Sequence, residues 1–266
     1  MELFAGIDIG SLTTKALIMD GTTIKGYIIL KSGHLYEEAG IQAYEQCLDK
    51  CNLSKNDIQY IVGTGYGRAL IEFANENITE ITCHARGVNH YFQDAHTVID
   101  IGGQDSKAIR IGENGKVLDF VMNDKCAAGT GRFLEVMANA LNIESLDKMG
   151  ELSITSNAPA KISSMCTVFA ESEVISLFAQ KKAKKVDIVA GLHTAIAKRI
   201  TGMVNRLGRV QEKIVFCGGV AKNIGVKKAI EKELGKTLYR SEEPQITGAL
   251  GAALLAKERY EKKKKK

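Results

Sequence analysis

One short pattern occurs twice in this chain of 266 residues and constrains its fold more than any other feature. The pattern occupies residues 8–16 and again residues 100–108, with aspartate, isoleucine, glycine, lysine and alanine at the same offsets. Each copy follows an apolar segment typical of a buried strand. A strand and turn repeated in this way predict a duplicated lobe, with two related halves that face each other across a nucleotide.

The predicted elements follow the same order in both halves. In the first half, three short strands in quick succession predict an antiparallel meander over Leu3–Leu30, followed by a helix at Ala39–Leu48 and a strand at Ile58–Val62. The strand signals of the second half lie at Thr97–Ile101, Ala108–Ile111, Val117–Met122 and Lys213–Cys217. The longest helical pattern begins at Asp187, a plausible cap.

These elements predict an α/β fold of two related lobes, each with a mixed sheet flanked by helices. We expect an N-terminal lobe at 1–92 and a C-terminal lobe at 93–246. A C-terminal helix at about 247–260 is expected to pack back on the first lobe. The last residues, 261–266, are expected to form a disordered lysine-rich tail.

Charge and hydropathy exclude several classes of function. The formal charge of +5 equals that of the terminal run Lys262–Lys266, so the rest of the chain is neutral. Such a run is typically a solvated end, and we expect no nucleic-acid partner. The chain opens without a signal-like segment and has no run of about 20 apolar residues, so we expect a cytoplasmic protein that does not enter a membrane.

The repeated turns have the composition of phosphate-binding loops. A glycine after a strand lets backbone N–H groups approach phosphate oxygens, nearby hydroxyls donate further hydrogen bonds, and a lysine adds positive charge. Asp8 and Asp100 stand at strand ends and are suited to hold Mg²⁺ through its water shell. A third glycine loop lies at 216–223. Three such loops in one chain favour a nucleotide site over three unrelated tight turns.

The cysteines leave two interpretations open. Cys126 and Cys166 each precede a predicted helix, where unpaired N–H groups and the helix dipole favour an anionic ligand or a cluster. The simpler interpretation is two buried apolar cysteines. A metal or iron–sulfur site needs about four ligands, so the first interpretation requires a symmetric dimer. We interpret the remaining cysteines as structural: Cys47, Cys51, Cys83 and Cys217.

The three glycine loops resemble those of the actin, Hsp70 and sugar-kinase superfamily. Their order along the chain is similar to that of the two phosphate loops and the adenosine loop of this superfamily. The resemblance implies ATP bound between two lobes that rotate as ATP becomes ADP. It also implies that Gln104 positions the attacking water beside Asp8 and Asp100, and that a glycine-lined segment at 245–251 closes over the adenine. The nucleotide-binding residues expected on this basis are Gly10, Ser11, Leu12, Thr13, Thr14, Lys15, Gly102, Gly103, Gln104, Gly218, Gly219 and Gln245.

Longer motifs resemble a narrower family, the activators of 2-hydroxyacyl-CoA dehydratases such as 2-hydroxyglutaryl-CoA dehydratase, with relatives that serve benzoyl-CoA reductases. These motifs lie at 64–68, 98–105, 123–134 and 166–174. Residues 12–14 and Met165 differ from the usual forms of the family without removing a ligand. In this family one 4Fe-4S cluster bridges a homodimer, which implies Cys126 and Cys166 of the C-terminal lobe as its ligands here.

The resemblance implies an ATP-driven donor of single electrons. A reduced ferredoxin or flavodoxin would load the cluster, and ATP hydrolysis would drive one low-potential electron to a separate dehydratase, where it would form a ketyl radical from the acyl-CoA substrate. Two alternatives stay open on the residues alone. One is a small-molecule kinase, for which Asp105 is a candidate base. The other is a nucleotide switch whose dimer is bridged by zinc on the same two cysteines.

Overall fold

The computed structural model describes residues 2–163, 166–208, 210 and 212–265. Met165, one of the departures from the family's usual forms, lies outside these residues. Two compact units divide the chain: Met1–Ala95 with Ile111–Leu118 and Gln245–Lys266 form the first, and His96–Arg110 with Asp119–Pro244 form the second. Within the described ranges, no helix combines the length and apolar character needed to cross a membrane.

The first unit is built on a five-stranded sheet of order β3-β2-β1-β4-β5. Its strands are β1 (Leu3–Ile9), β2 (Thr13–Asp20), β3 (Thr23–Lys31), β4 (Ile58–Thr64) and β5 (Glu76–Asn77). Its helices are α1 (Tyr36–Cys51), α2 (Glu80–Tyr91) and α8 (Thr247–Lys264). The antiparallel pairing of β1 with β2 and of β2 with β3 confirms the predicted meander, and β4 runs parallel to β1.

Strand β1 is buried along its whole length because helices cover both of its faces. Its odd-numbered residues pack with Ala43, Tyr44 and Leu48 of α1, while Phe4 packs with Ala252 of α8. Successive side chains of a strand point to opposite faces, so a strand covered on both sides has an uninterrupted apolar sequence. The packing of β1 between α1 and α8 fixes the position of the turn that follows the strand.

Helix α8 continues to Lys264, which differs from the disordered tail expected at 261–266. Two ion pairs accompany the extension: Lys264 Nζ lies 3.0 Å from Glu2 Oε1, and Lys257 Nζ lies 3.7 Å from Glu261 Oε1. The second pair has the spacing of neighbouring helix turns. Pairing with acidic groups therefore offsets the repulsion among the terminal lysines.

A second five-stranded sheet has the order β10-β9-β6-β7-β8. Its strands are β6 (Thr97–Ile101), β7 (Ser106–Ile111), β8 (Val117–Asn123), β9 (Ile214–Cys217) and β10 (Leu238–Tyr239). The accompanying helices are α3 (Gly131–Ala140), α4 (Leu146–Ser153), α5 (Thr167–Ala179), α6 (Lys185–Arg206) and α7 (Ile224–Leu234). Strand β6 pairs antiparallel with β7 and parallel with β9, which repeats the arrangement of β1, β2 and β4.

Helix α6 forms the centre of the second core through Leu192, Ile196 and Ile200. It begins at Lys185 with Lys184 as the N-cap, so the prediction that Asp187 caps this helix is wrong. Asp187 Oδ1 instead accepts a hydrogen bond from Ser156 Oγ at 2.7 Å, and its backbone carbonyl accepts one from the Ala160 N–H at 2.8 Å. Asp187 therefore attaches the segment that precedes Cys166 to the second core.

Candidate functional site

The turn between β1 and β2 closes on a buried ion pair. The Gly10 N–H donates to the Thr13 carbonyl at 3.1 Å, and Asp8 lies opposite Lys15 in the strand register. Lys15 Nζ lies 3.3 Å from Asp8 Oδ2 and also donates to the Thr13 carbonyl at 3.1 Å. Since a strand end, a glycine and a lysine meet here, the turn has the parts of a phosphate-binding loop.

The turn between β6 and β7 repeats this geometry. The Gly102 N–H donates to the Asp105 carbonyl at 3.0 Å, and Asp100 lies opposite Lys107. Lys107 Nζ lies 3.2 Å from Asp100 Oδ2 and 2.6 Å from Asp105 Oδ2. The repeated sequence pattern therefore corresponds to a repeated local structure, with one additional carboxylate in the second copy.

The repeat extends to a glycine that the sequence interpretation did not assign. Gly65 directly follows β4 with φ +89°, and Gly218 directly follows β9 with φ +83°. A Cβ at Gly65 would lie 2.5 Å from the Ile9 carbonyl oxygen, and one at Gly218 would lie 2.5 Å from Asp100 Oδ1. The absence of a side chain at each glycine therefore leaves room for the aspartate-bearing turn of its own unit. The sequence signal that could have identified Gly65 is its place directly after β4, which matches the place of Gly218 directly after β9.

The other expected nucleotide-binding residues divide into exposed and supporting groups. Gln104 is exposed at the tip of the second turn, and Gly219 is exposed at the start of the third loop. Thr14 is fully buried, and its hydroxyl lies 2.9 Å from Ser32 Oγ, which donates to the Gly10 carbonyl at 2.6 Å. Thr14 therefore supports the first turn from behind, and the nucleotide contact expected for it stays a prediction.

The segment expected to close over the adenine is largely a buried helix. Gly248 and Gly251 lie within α8. A Cβ at Gly248 would lie 2.9 Å from Asp8 Oδ2, and one at Gly251 would overlap the Cys83 carbonyl. These glycines allow α8 to pack closely in the first unit, so the expectation of a glycine-lined lid is wrong for 247–251. The role assigned to Gln245, which precedes the helix, stays a prediction.

The two candidate metal ligands occupy different local settings in the second unit. Cys166 is exposed and is the N-cap residue of α5. Cys126 is half-buried in the loop between β8 and α3, four residues before the N-cap Thr130, so only one of the two thiols lies at a helix N-terminus. Among the other thiols, burial raises the pKa of Cys47 and of Cys83 to about 12, which supports a structural role for both.

Backbone hydrogen bonds connect the Cys126 loop to the second turn. The Gly131 N–H donates to the Gly102 carbonyl at 2.9 Å, and the Arg132 N–H donates to the Gly103 carbonyl at 2.8 Å. The first N–H groups of a helix have no partner within the helix itself, so here the turn accepts them. A displacement of this turn would therefore move the start of α3 and the loop that carries Cys126.

Helix α5 exposes an apolar surface next to Cys166. Val168 and Phe169 are each 68% exposed, and Ile175 and Phe178 are also exposed. Burying apolar area of this kind is favourable by about 25 cal/mol per Å², so a contiguous exposed patch indicates an interaction surface. The patch and the exposed thiol lie on one short stretch of the chain.

The two sheets flanked by helices, together with the duplicated turns, define an actin-like ATPase fold, which confirms the predicted fold class. The chain belongs to the BadF/BadG/BcrA/BcrD ATPase family, whose model matches residues 5–256, and it is therefore an ATPase. This confirms the resemblance noted from the motifs.

Relatives and solved structures agree with this assignment. The chain is 46% identical over 252 residues to the 2-hydroxyisocaproyl-CoA dehydratase activator of Clostridioides difficile, covering 94% of this chain and 93% of that one. The crystal structure of component A of (R)-2-hydroxyglutaryl-CoA dehydratase from Acidaminococcus fermentans matches with a TM-score of 0.93 at 43% identity, over 98% and 100% of the two chains. The 2-hydroxyisocaproyl-CoA dehydratase activator with bound ADPNP, from Clostridium difficile, matches with a TM-score of 0.93 at 44% identity, over 99% and 97%.

Proposed function

We propose that this chain is an ATP-dependent one-electron donor that activates a 2-hydroxyacyl-CoA dehydratase. The observation that carries the proposal is the pair of hydrogen bonds from Gly131 and Arg132 to the second turn, because they connect a phosphate-binding element to a cysteine loop. The names of the similar proteins support the same function. In the proposed reaction, one electron arrives from a reduced ferredoxin or flavodoxin and one leaves to the dehydratase, while ATP and water become ADP and phosphate.

The proposed nucleotide site uses the aspartates and lysines of both turns. Lys15 and Lys107 supply positive charge to phosphate oxygens, and exposed Gln104 orients the attacking water. Asp8 and Asp100 already have lysine partners at 3.3 Å and 3.2 Å. Carboxylate oxygens fit Mg²⁺, which usually keeps several of its waters, so we propose that these two aspartates hold the ion through water.

The proposed cluster site uses two thiols from each of two chains. Neither Cys126 nor Cys166 is in a disulfide, and thiolate is the ligand that iron–sulfur clusters require. A chain that supplies two of about four ligands needs a symmetric partner, and the exposed apolar side chains of α5 beside Cys166 fit such a homodimer contact. When bound, a 4Fe-4S cluster supplies a centre that accepts and releases single electrons.

Within this proposal, the chain's own residues link hydrolysis to the cluster site. Loss of the γ-phosphate changes what the second turn contacts, and the Gly102 and Gly103 carbonyls transmit the change to the first turn of α3. The same proposal locates the protein in the cytoplasm, where thiols stay reduced, and none of the six cysteines, all of them described, is in a disulfide.

The test is anaerobic purification of the wild type, of Cys166→Ala and of the matched control Cys51→Ala, with iron and sulfide counts and a visible spectrum. We expect about four irons and four sulfides per dimer, bleached by dithionite, in the wild type and the control. We expect Cys166→Ala to lose both the iron and the colour. A colourless wild-type dimer that still hydrolyses ATP would overturn the proposal, and bound zinc would then identify a zinc-bridged switch.

A small-molecule kinase has less support. Its candidate base, Asp105, is held in an ion pair with Lys107 Nζ at 2.6 Å. Assays with sugars and ATP should therefore give no phosphorylated product.

A further inference from the structure

A side-chain relay joins helix α6 to the loop that carries Cys126. Arg199 Nη2 donates to Asn123 Oδ1 at 3.1 Å, and Asn123 Nδ2 donates to the Cys126 carbonyl at 2.8 Å. The stem of Arg199 also lies against this loop, since a Cβ at Gly129 would lie 3.1 Å from Arg199 Cδ. Arg199 therefore contacts the loop at two places.

Among the described residues, Arg199 has no ion-pair partner for its charge. In the described chain its guanidinium bonds to the neutral Asn123 amide, and its Nε is buried without a hydrogen-bond partner. A buried donor without a partner is unfavourable, and a charged one is more so. The positive charge of Arg199 is therefore available to act on neighbouring groups.

Arg199 also lies between the segments that lead to the two candidate ligands. It lines a cavity of about 460 Å³ with Ala160, Lys161, Ile162 and Lys198, on the segment before Cys166. It also lines a second cavity of about 400 Å³ with Met122 and Asn123, on the strand before Cys126. Among the described residues, neither lining contains an acidic side chain. Its positive charge therefore acts on both segments without a local counter-charge.

We propose that Arg199 is a positioning residue that holds the Cys126 loop through Asn123 and supplies positive charge to the centre formed by Cys126 and Cys166. The positioning role concerns the polypeptide alone, whereas the electrostatic role rests on the proposed cluster. A nearby cation stabilises the more negative, reduced state of a redox centre, so its removal lowers the reduction potential.

The positioning role is tested by hydrogen–deuterium exchange of the full-length, metal-free chain, followed on peptides that cover residues 124–130. We expect roughly tenfold faster exchange of this loop in Arg199→Met and in Asn123→Ala, because each variant removes a hydrogen bond of the relay. The matched control is Lys198→Met, which removes an equal charge from the same cavity but leaves the relay intact. Unchanged exchange in both relay variants would overturn the positioning role.

The electrostatic role is tested by redox titration of the iron-loaded protein. We expect a lower midpoint potential in Arg199→Met, recovery towards the wild-type value in Arg199→Lys, and little change in Lys198→Met, whose exposed charge is screened by water. A midpoint potential that Arg199→Met leaves unchanged would overturn this role. If the wild type binds no iron, the proposed function fails, while the exchange experiment still decides the positioning role.

Discussion

The turn between β1 and β2 and the turn between β6 and β7 have the same backbone geometry and differ in charge. In both, the glycine N–H closes on the carbonyl three residues later, at 3.1 Å in the first and 3.0 Å in the second. In both, a lysine reaches the strand-end aspartate, at 3.3 Å and 3.2 Å. The second contact of the lysine is the Thr13 backbone carbonyl in the first turn but the Asp105 carboxylate in the second.

This difference shows that two copies of one turn can keep the same backbone and carry different net charges. The first turn has one aspartate and one lysine, so its charges balance, whereas the second adds Asp105 and is negative overall. A lysine held by a backbone carbonyl attracts a phosphate more strongly than a lysine held between two carboxylates, because the carboxylates offset its charge. We therefore expect the two turns to respond differently to matched substitutions.

The largest expected effect is on stability, from removing the strand-end aspartates. Asp8→Asn leaves buried Lys15 without its carboxylate, and breaking a buried ion pair costs about 3 kcal/mol or more. Asp100→Asn should cost less, because Lys107 keeps Asp105 at 2.6 Å. Denaturant titration of both variants measures the free energies of unfolding.

A second substitution in the Asp8→Asn background provides the control. Lys15→Met removes the uncompensated charge and should recover part of the lost stability. Equal costs for Asp8→Asn and Asp100→Asn would show that the additional carboxylate does not distinguish the two turns.

The next effect concerns the equivalent glycines. Gly65→Ala and Gly218→Ala should each destabilise the protein by about 2–3 kcal/mol and reduce ATP hydrolysis, because the new methyl group would collide with the aspartate-bearing turn. Gly235→Ala is the matched control: Gly235 has φ +63° with no atom within 4 Å of an added Cβ, so only backbone strain of about 1 kcal/mol applies. Thermal unfolding and ATPase assays measure these effects. If either variant behaves like the control, the proposed equivalence of Gly65 and Gly218 is wrong.

Another difference between the units is a histidine that folding keeps neutral. In the first unit, His84 Nδ1 lies 2.9 Å from Thr247 Oγ1, whereas in the second unit burial lowers the pKa of His193 to about 3. Below pH 6.5 the unfolded chain binds a proton that the folded chain excludes, so stability falls as the pH falls towards 3. Between pH 7 and pH 5 this loss is about 2 kcal/mol.

Replacing His193 tests the assignment. His193→Leu should remove this part of the pH dependence with little loss of stability at pH 7, because neither ring nitrogen has a hydrogen-bond partner in the described chain. Denaturant titrations at both pH values, with exposed His34→Leu as the control, measure the change. A pH dependence that persists unchanged in His193→Leu would assign the acid sensitivity to other groups.

Local signals in the sequence predicted much of the fold. The bounds of β6 agree with the prediction because it is a short apolar run that ends with Asp100 and Ile101, directly before a glycine. Features that depend on distant residues were not predicted. Thr14 is buried by Ser32, and Asn123 meets Arg199, which lies 76 residues further along the chain. A sequence pattern indicates which element forms, but not which remote side chain supports it.

The cysteines show the same limit at the candidate site. Cys166 was expected at a helix N-terminus and is the N-cap of α5. For Cys126 the same expectation was wrong, because the N–H groups of Gly131 and Arg132 bond to the second turn and α3 begins there. The position of a helix start was therefore set by a long-range contact rather than by the local motif.

The smallest expected effect is on nucleotide affinity, when the additional carboxylate of the second turn is introduced into the first. Thr13→Asp gives the first turn the carboxylate found at Asp105, and it should weaken binding of ADPNP by roughly fivefold, since exposed charge interactions contribute about 1 kcal/mol. Isothermal titration calorimetry measures this change, and Thr13→Asn controls for the shape of the side chain without the charge.

The reciprocal variant, Asp105→Thr, frees Lys107 from one of its two carboxylates and should strengthen binding by a similar or smaller factor. If Thr13→Asp and Thr13→Asn bind ADPNP equally, the charge at this position does not explain the difference between the two turns, and their shared backbone would then be the property that matters for the nucleotide.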